Sequence, residues 1–247
     1  SNSLAKKVLA AKIDGETKDL TTVLDKDCAV EFLTFEEADG RWALRHTASH
    51  ILAQAVKRLY KDDNVKLAIG PAIDNGFYYD IDMDRQLGEA DLKDIEKEMK
   101  KIVKENLKLE RKEVSRADAL KMFEEMGESY KVELINDLPE DALITLYTEG
   151  EFTDLCAGPH LMSTKGVGKA FKLTSIAGAY WRGSEKNKML TRIYATAFGK
   201  KEELEAYLTV LEEAKKRDHR KLGRELGIFM LSEYGPGFPF LLPNGVT

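Results

Sequence analysis

Ala43-Leu44-Arg45-His46-Thr47-Ala48-Ser49-His50-Ile51-Leu52-Ala53-Gln54-Ala55-Val56-Lys57-Arg58-Leu59-Tyr60 is the stretch from which the fold can first be read. Its apolar positions Leu44, Ala48, Ile51, Leu52, Ala55, Val56 and Leu59 recur at helical spacing, which predicts an amphipathic helix with one face in a core. The neighbouring segment is of a different kind. Residues 66–83 read as hairpin-like β structure, interrupted by Gly70-Pro71 and by the turn Asp74-Asn75-Gly76. Residues 91–106 return to a helical pattern, with Leu92, Ile95, Met99, Ile102 and Val103 on the buried stripe of a charged helix. Residues 107–114 alternate as a strand, and Ser115 caps a helix through Met126 with Asp118 three residues on. Residues 143–147, 169–175 and 189–198 read as further strands, and 200–227 as a long helix ending in a glycine. Helices and strands mix without a regular βαβ period. The expected class is therefore α+β, with a largely antiparallel sheet and packed helices.

Upstream, residues 4–35 read as a short helix (4–11) followed by strand, turn and strand, the turn marked by Asp14-Gly15. Two strands and one helix are too little to close a core alone, and a second domain is expected to begin near Trp42. At 247 residues, 43% of them hydrophobic and 33% charged, the chain has material for one to three domains. No apolar run is long enough to span a bilayer. Two cysteines more than a hundred positions apart do not form a disulfide framework, so the expected compartment is the reducing cytoplasm. A net charge of −5 neither excludes nor recommends RNA as a partner, since local clusters decide that. The charges of residues 91–108 are interspersed in sign and read as a solvated face. Residues 215–221 are denser in positive charge and divide between nucleic-acid contact and a solvated or docking helix.

The chemistry-bearing residues are unevenly placed. His46 and His50 are four apart, so one helix face presents both imidazoles about 6 Å apart along the axis. Cys156 and His160 are also four apart, but Gly158-Pro159 between them calls for a tight turn that folds the two side chains together, with Asp154 just before it. Two pairs that use three of the four histidines in the chain admit three readings. One is a tetrahedral metal site, the second a hydrolytic pocket in which an imidazole handles water, and the third simple wall packing. A zinc-protease helix is excluded, because no glutamate stands between His46 and His50.

Five blocks in order then carry a resemblance. They are Arg45–His50; Ala68-Ile69-Gly70-Pro71 with Asn75-Gly76-Phe77-Tyr78-Tyr79-Asp80; Glu128-Ser129-Tyr130-Lys131; Asp154-Leu155-Cys156-Ala157-Gly158-Pro159-His160; and Ala177-Gly178-Ala179-Tyr180-Trp181-Arg182-Gly183. Together they resemble the editing domain of bacterial threonyl-tRNA synthetases. The resemblance divides the chain into 1–38, a truncated ubiquitin-like (β-grasp) piece; 41–199, the editing domain; 200–227, a linker helix; and 228–247, the start of an aminoacylation domain. It implies that the ATP site and the threonine-selecting zinc lie in a part this chain lacks.

The implied activity is hydrolysis of serine wrongly esterified to threonine tRNA, in a chain acting in cis with the rest of a synthetase and without a membrane. In that reading His46 handles the attacking water and Lys131 steadies charge or positions the water, with Cys156 and His160 completing the catalytic set. His50, Gly70, Tyr79 and Asp154 bind the seryl-adenosine end, Tyr79 by stacking and Asp154 by holding the amino group or the lysine. No cofactor is expected for editing. Zinc in the pocket stays open, because the related alanyl-tRNA editing proteins hold it with the same two pairs, here His46, His50, Cys156 and His160. The rival readings are a zinc-dependent alanyl-type deacylase and a non-catalytic tRNA-binding module.

Overall fold

The computed structural model describes residues 2–5, 7–217, 219–231 and 239–246. They fall into two compact units, residues 1–201 and 202–247. The first unit opens with α1 (Asn2–Ala5) and the strands β1 (Ala10–Ile13), β2 (Glu16–Lys18) and β3 (Val30–Leu33), paired antiparallel in the order β2-β1-β3. The helix expected over 4–11 is thus cut short. Ala10 and Ala11 favour helix intrinsically, but they sit in a central strand bonded on both edges, and tertiary pairing overrides that preference. The sheet has three strands where two were expected, and Ala10 and Leu33 join the main hydrophobic core of the unit.

That core is built around α2 (Ala38–Leu59). On one side α2 packs Ala48, Ile51, Leu52, Ala55 and Val56 against α3 (Glu89–Glu105) and the sheet β10-β11-β6-β4. The strands of that sheet are β4 (Lys66–Leu67), β6 (Gly76–Asp82), β10 (Phe171–Tyr180) and β11 (Met189–Ala197), with β5 (Ala72–Ile73) paired to β6. All neighbours are antiparallel. Burying each large aliphatic side chain here contributes about 1.5–3 kcal/mol. The stripe Leu92, Ile95, Met99, Ile102 and Val103 of α3 is buried as its spacing predicts, while Lys100 and Lys101 pair with Glu96 and Glu98.

The opposite face of α2 is polar yet also buried: His46, Thr47, His50 and Gln54 all lie inside. A second sheet covers it, β7-β8-β9, formed by β7 (Leu109–Val114), β8 (Ile144–Glu149) and β9 (Phe152–Leu155). Gln54 donates to the Glu149 carbonyl at 3.2 Å, and the Phe152 ring meets His50 edge-on. Between β7 and β8 lie α4 (Arg116–Glu125), whose cap Ser115 accepts from the Asp118 N–H as expected, and α5 (Ser129–Asp137). Neither α5 nor β9 was expected from the sequence. Trp181 packs edge-on against Tyr130, whereas its neighbour Tyr180 is exposed.

The second unit holds α6 (Lys201–Lys216), α7 (His219–Glu225) and the antiparallel pair β12 (Phe229–Leu231) and β13 (Pro239–Leu241). The single helix expected over 200–227 is therefore two, with Arg217 in a turn after α6 and Gly227 left-handed beyond α7. Dense positive charge at 215–217 and 220–221 disfavours a continuous helix there. Of that basic stretch, Asp218 and the side chains of 219–221 lie outside the described residues. Among the described residues no helix is long and apolar enough to cross a membrane.

Candidate active site

The helix α2 holds His46 and His50 one turn apart, with ring centroids 5.2 Å from each other. Across from them, the chain leaves β9 at Leu155 and turns through Cys156-Ala157-Gly158-Pro159-His160, with a cis bond at Gly158-Pro159. Gly158 is left-handed (φ 70°), and a Cβ there would meet the Tyr147 hydroxyl at 2.1 Å, so the position requires glycine on both counts. The turn sets Cys156 Sγ 3.2 Å from His46 Nε2 and 3.1 Å from His160 Nε2. The His160 ring lies 4.2 Å from the rings of both His46 and His50. The two pairs read from the spacing therefore form one cluster.

The hydrogen-bond pattern fixes one tautomer. Thr47 donates its hydroxyl proton to the Ala43 carbonyl (2.9 Å), so its Oγ1 is left to accept from the Leu161 N–H and from His160 Nδ1, both at 3.0 Å. His160 Nε2 is then a bare lone pair facing Cys156, whose Sγ also accepts the Gly158 N–H at 3.2 Å. A single thiol proton faces two ring nitrogens.

Electrostatics make the cluster neutral. Burial, then the neighbouring His50, pushes the pKa of His46 down to about 3. Burial takes His50 down to about 4, although Asp154 pulls the other way. His160 is driven well below the usual range by burial and by the two other imidazoles. Burial raises the Cys156 thiol, so it stays protonated at neutral pH.

Behind this cluster lies a charged layer. Lys131 from α5 places Nζ 2.5 Å from Asp154 Oδ1, and Tyr79 donates its hydroxyl to Asp154 Oδ2 at 2.5 Å. Lys131 also donates to the Tyr79 hydroxyl at 3.1 Å, and His50 Nε2 stands 3.6 Å from Asp154 Oδ2. Burial opposes the Asp154 charge, but Lys131, His50 and the Tyr79 hydrogen bond prevail and hold its carboxyl below the ordinary range.

One expectation needs correction. Tyr79 is 0% exposed and so has no ring face on which a base can stack. Its ring instead abuts Gly70, where a Cβ would fall 2.2 Å away, and its hydroxyl orients Asp154. The Gly70 carbonyl accepts from Ser49 at 2.6 Å. Asp154 is engaged by the lysine, the second of its two expected roles. The structure thus brings His46, His50, Lys131, Tyr79, Asp154, Cys156 and His160 together. His46, 8% exposed, and the half-buried Cys156 lie nearest solvent, beside Trp42, whose ring is 4.3 Å from that of His46. Asp19, Thr47 and Tyr147 also border the cluster. Sequence reading gave them no role, because single polar residues outside a spacing pattern carry no signal.

One donor atom from each of His46, His50, Cys156 and His160 lies within 4.8 Å of the others, so the cluster can hold a metal ion. The donor set suits zinc, and among the described residues His50 Nδ1 is buried without a hydrogen-bond partner. Four protein donors describe a closed, structural type of site, whereas a catalytic zinc keeps one position open for water.

Residues 144–194 match the family described as the threonyl and alanyl tRNA synthetase second additional domain. The chain is 63% identical over 247 residues to a threonine–tRNA ligase of Clostridium acetobutylicum and 61% identical over 247 residues to that of Acetivibrio thermocellus. It is 63% identical over 246 residues to that of Clostridium botulinum. In each case the whole chain is covered, and it spans 38% of the relative's length.

Proposed function

We propose that this chain, which belongs with the bacterial threonine–tRNA ligases, proofreads: it hydrolyses the ester joining a wrongly attached serine to threonine tRNA. The observation that carries this reading is one site in which a neutral His/Cys cluster backs onto the buried Lys131–Asp154 pair. The need for such a step is physical. Serine is threonine without one methyl, and a pocket refuses the smaller substrate by only about 1–3 kcal/mol, so a second hydrolytic site supplies the missing fidelity.

In this reading water attacks the seryl carbonyl, the bond from carbon to the ribose oxygen breaks, and the proton passes to that oxygen. His46 orients the water. An imidazole held near 3 is a weak base, so its contribution is chiefly alignment of a neutral acceptor that stays unprotonated at working pH. Cys156 and His160 complete the wall against which the ester lies. Lys131 supplies positive potential for the developing oxyanion from behind, and Asp154 fixes it in place. Hydrolysis in this reading needs no metal. When bound, zinc would be held by all four donors His46, His50, Cys156 and His160, and would supply a structural cross-link between α2 and the Cys156–His160 turn.

The kinship also supports assigning 1–38 to a β-grasp domain, 41–199 to editing, 200–227 to a linker and 228–247 to the start of an aminoacylation domain. The partners are then the serine-bearing acceptor end of threonine tRNA and the rest of a synthetase in cis, in the cytoplasm. Deacylation assays test the reading. The purified chain should hydrolyse Ser-tRNA(Thr), spare Thr-tRNA(Thr), and lose activity in His46→Ala. A preference for Ser-tRNA(Ala) would indicate an alanyl-type deacylase instead, and no hydrolysis at high protein concentration would leave a tRNA-binding module.

A further inference from the structure

One carboxylate beside the site comes from an element with no part in the proposed chemistry. Asp19 directly follows β2 and is 8% exposed. Its Oδ1 accepts the backbone N–H of His160 at 2.6 Å, and its Oδ2 accepts the Tyr147 hydroxyl at 2.7 Å. The Tyr147 ring, from β8, lies 4.5 Å from the His160 ring. Its hydroxyl occupies the space a side chain on Gly158 would need. A single carboxylate thus ties the end of the Cys156–His160 turn to the aromatic ring packed on it.

We infer that Asp19 is a positioning residue for the hydrolytic site, through which the N-terminal sheet sets the place of His160. This rests on the hydrolytic reading above. His160 is held at three points: Nδ1 by Thr47 of α2, its ring by Tyr147 of β8, and its backbone by Asp19. Only the third is charge-assisted, and such bonds are the shorter and stronger kind. Releasing it frees the backbone that keeps Nε2 3.1 Å from Cys156 Sγ. The plainer account is that Asp19 merely docks the sheet. The sheet has other anchors, however. Thr17 donates to Asp39 at 2.8 Å, Lys12 pairs with Asp39 at 3.2 Å, and Ala10 and Leu33 are buried in the core. Sequestering a carboxylate is costly unless its bonds are needed, and the side-chain bonds of Asp19 go to the end of the turn and to the Tyr147 ring packed on it.

The experiment compares Asp19→Ala, Asp19→Asn, Tyr147→Phe and Thr17→Ala in the whole chain. Two readouts are followed: steady-state hydrolysis of Ser-tRNA(Thr), and NMR of the His160 amide exchange and ring signals. Asp19→Ala should lower kcat about 100-fold, the scale of a small misplacement of a catalytic group, with KM within about twofold. Asp19→Asn keeps a carbonyl for the His160 N–H and should recover most of the rate. Tyr147→Phe, which retains the ring, should lose less than Asp19→Ala. Thr17→Ala loosens the same sheet without touching His160 and should behave as wild type. His160 amide exchange should quicken at least about tenfold in Asp19→Ala and stay unchanged in Thr17→Ala. An unchanged rate and exchange in Asp19→Ala overturns the inference, as does a loss in Thr17→Ala equal to that in Asp19→Ala. If Asp19→Ala does not fold, wild-type kinetics and exchange in Tyr147→Phe, or a loss in Thr17→Ala as large as that in Tyr147→Phe, decides against it. An inactive wild type overturns the proposed function instead, and the exchange comparison still judges Asp19.

Discussion

Lys131 Nζ and Asp154 Oδ1 lie 2.5 Å apart in side chains only 3% and 2% exposed, a fully sequestered ion pair immediately behind the imidazole cluster. Removing either partner leaves the other charge buried and alone, at a cost of about 3–5 kcal/mol. Lys131→Ala and Asp154→Ala should each lower Tm markedly and depress deacylation. The double variant should recover stability but not rate. A thermal-melt and kinetic comparison of the three checks this, and full activity in the stable double variant contradicts an electrostatic role.

The pH profile should lack the usual histidine signature. With His46 near 3 and His50 near 4, the imidazoles remain neutral across the range where free histidine titrates. Deacylation should therefore be flat through about pH 6.5, the unperturbed histidine value, and fall only in stronger acid. Rates measured on ester substrate from mild acid to neutrality decide it, after correction for spontaneous hydrolysis. A break near 6.5 assigns the rate to an exposed, ordinary imidazole instead.

Stability should follow pH with a defined sign. The folded-state values of His46 and His50 lie below those of the unfolded chain, so the unfolded state takes up more protons on acidification. Their contribution is full above about pH 6.5 and is lost as pH falls toward 4 and then 3. His50→Gln should make the urea midpoint less sensitive to pH over that window.

Thr47 is expected to matter more than its small size suggests. Thr47→Val keeps the shape but removes the acceptor for both His160 Nδ1–H and the Leu161 N–H. Each buried donor left unpaired costs about 1–3 kcal/mol, and His160 is freed to change tautomer. Thr47→Ser should restore both stability and deacylation. Equal behaviour of the valine and serine variants in melts and assays rules this account out.

Metal removal should leave hydrolysis intact. Protein purified without chelator is expected to carry no stoichiometric zinc by elemental analysis, and prolonged chelation should not slow deacylation. One zinc per chain, lost in Cys156→Ser, would show the four donors of the cluster acting as ligands.

Much of this site is legible along the chain because it rests on local geometry. Four-residue spacing on a helix places His46 and His50 on one face, and Gly158-Pro159 imposes a turn that brings Cys156 to His160. The apolar stripes of α2 and α3 come from periodicity in the same way. Periodicity has no means of showing that the second face of α2 is buried too. That face is polar, and its burial comes from β8 and β9 covering it.

The remainder belongs to tertiary structure, because its determinants are distant in sequence. Thr47 meets His160 across 113 positions and Asp19 meets it across 141. Lys131 and Asp154 become an ion pair only once α5 and β9, two elements without a clear pattern of their own, pack on Tyr79. Burial then sets the charge state: an imidazole has the same ordinary affinity for protons in any unfolded chain, and only exclusion of water lowers it. Residue order alone is enough to say which side chains face one another within a turn or a helix. It takes the folded chain to make the imidazoles neutral, to pair the lysine, and to have Tyr79 orient a carboxylate where stacking had been expected.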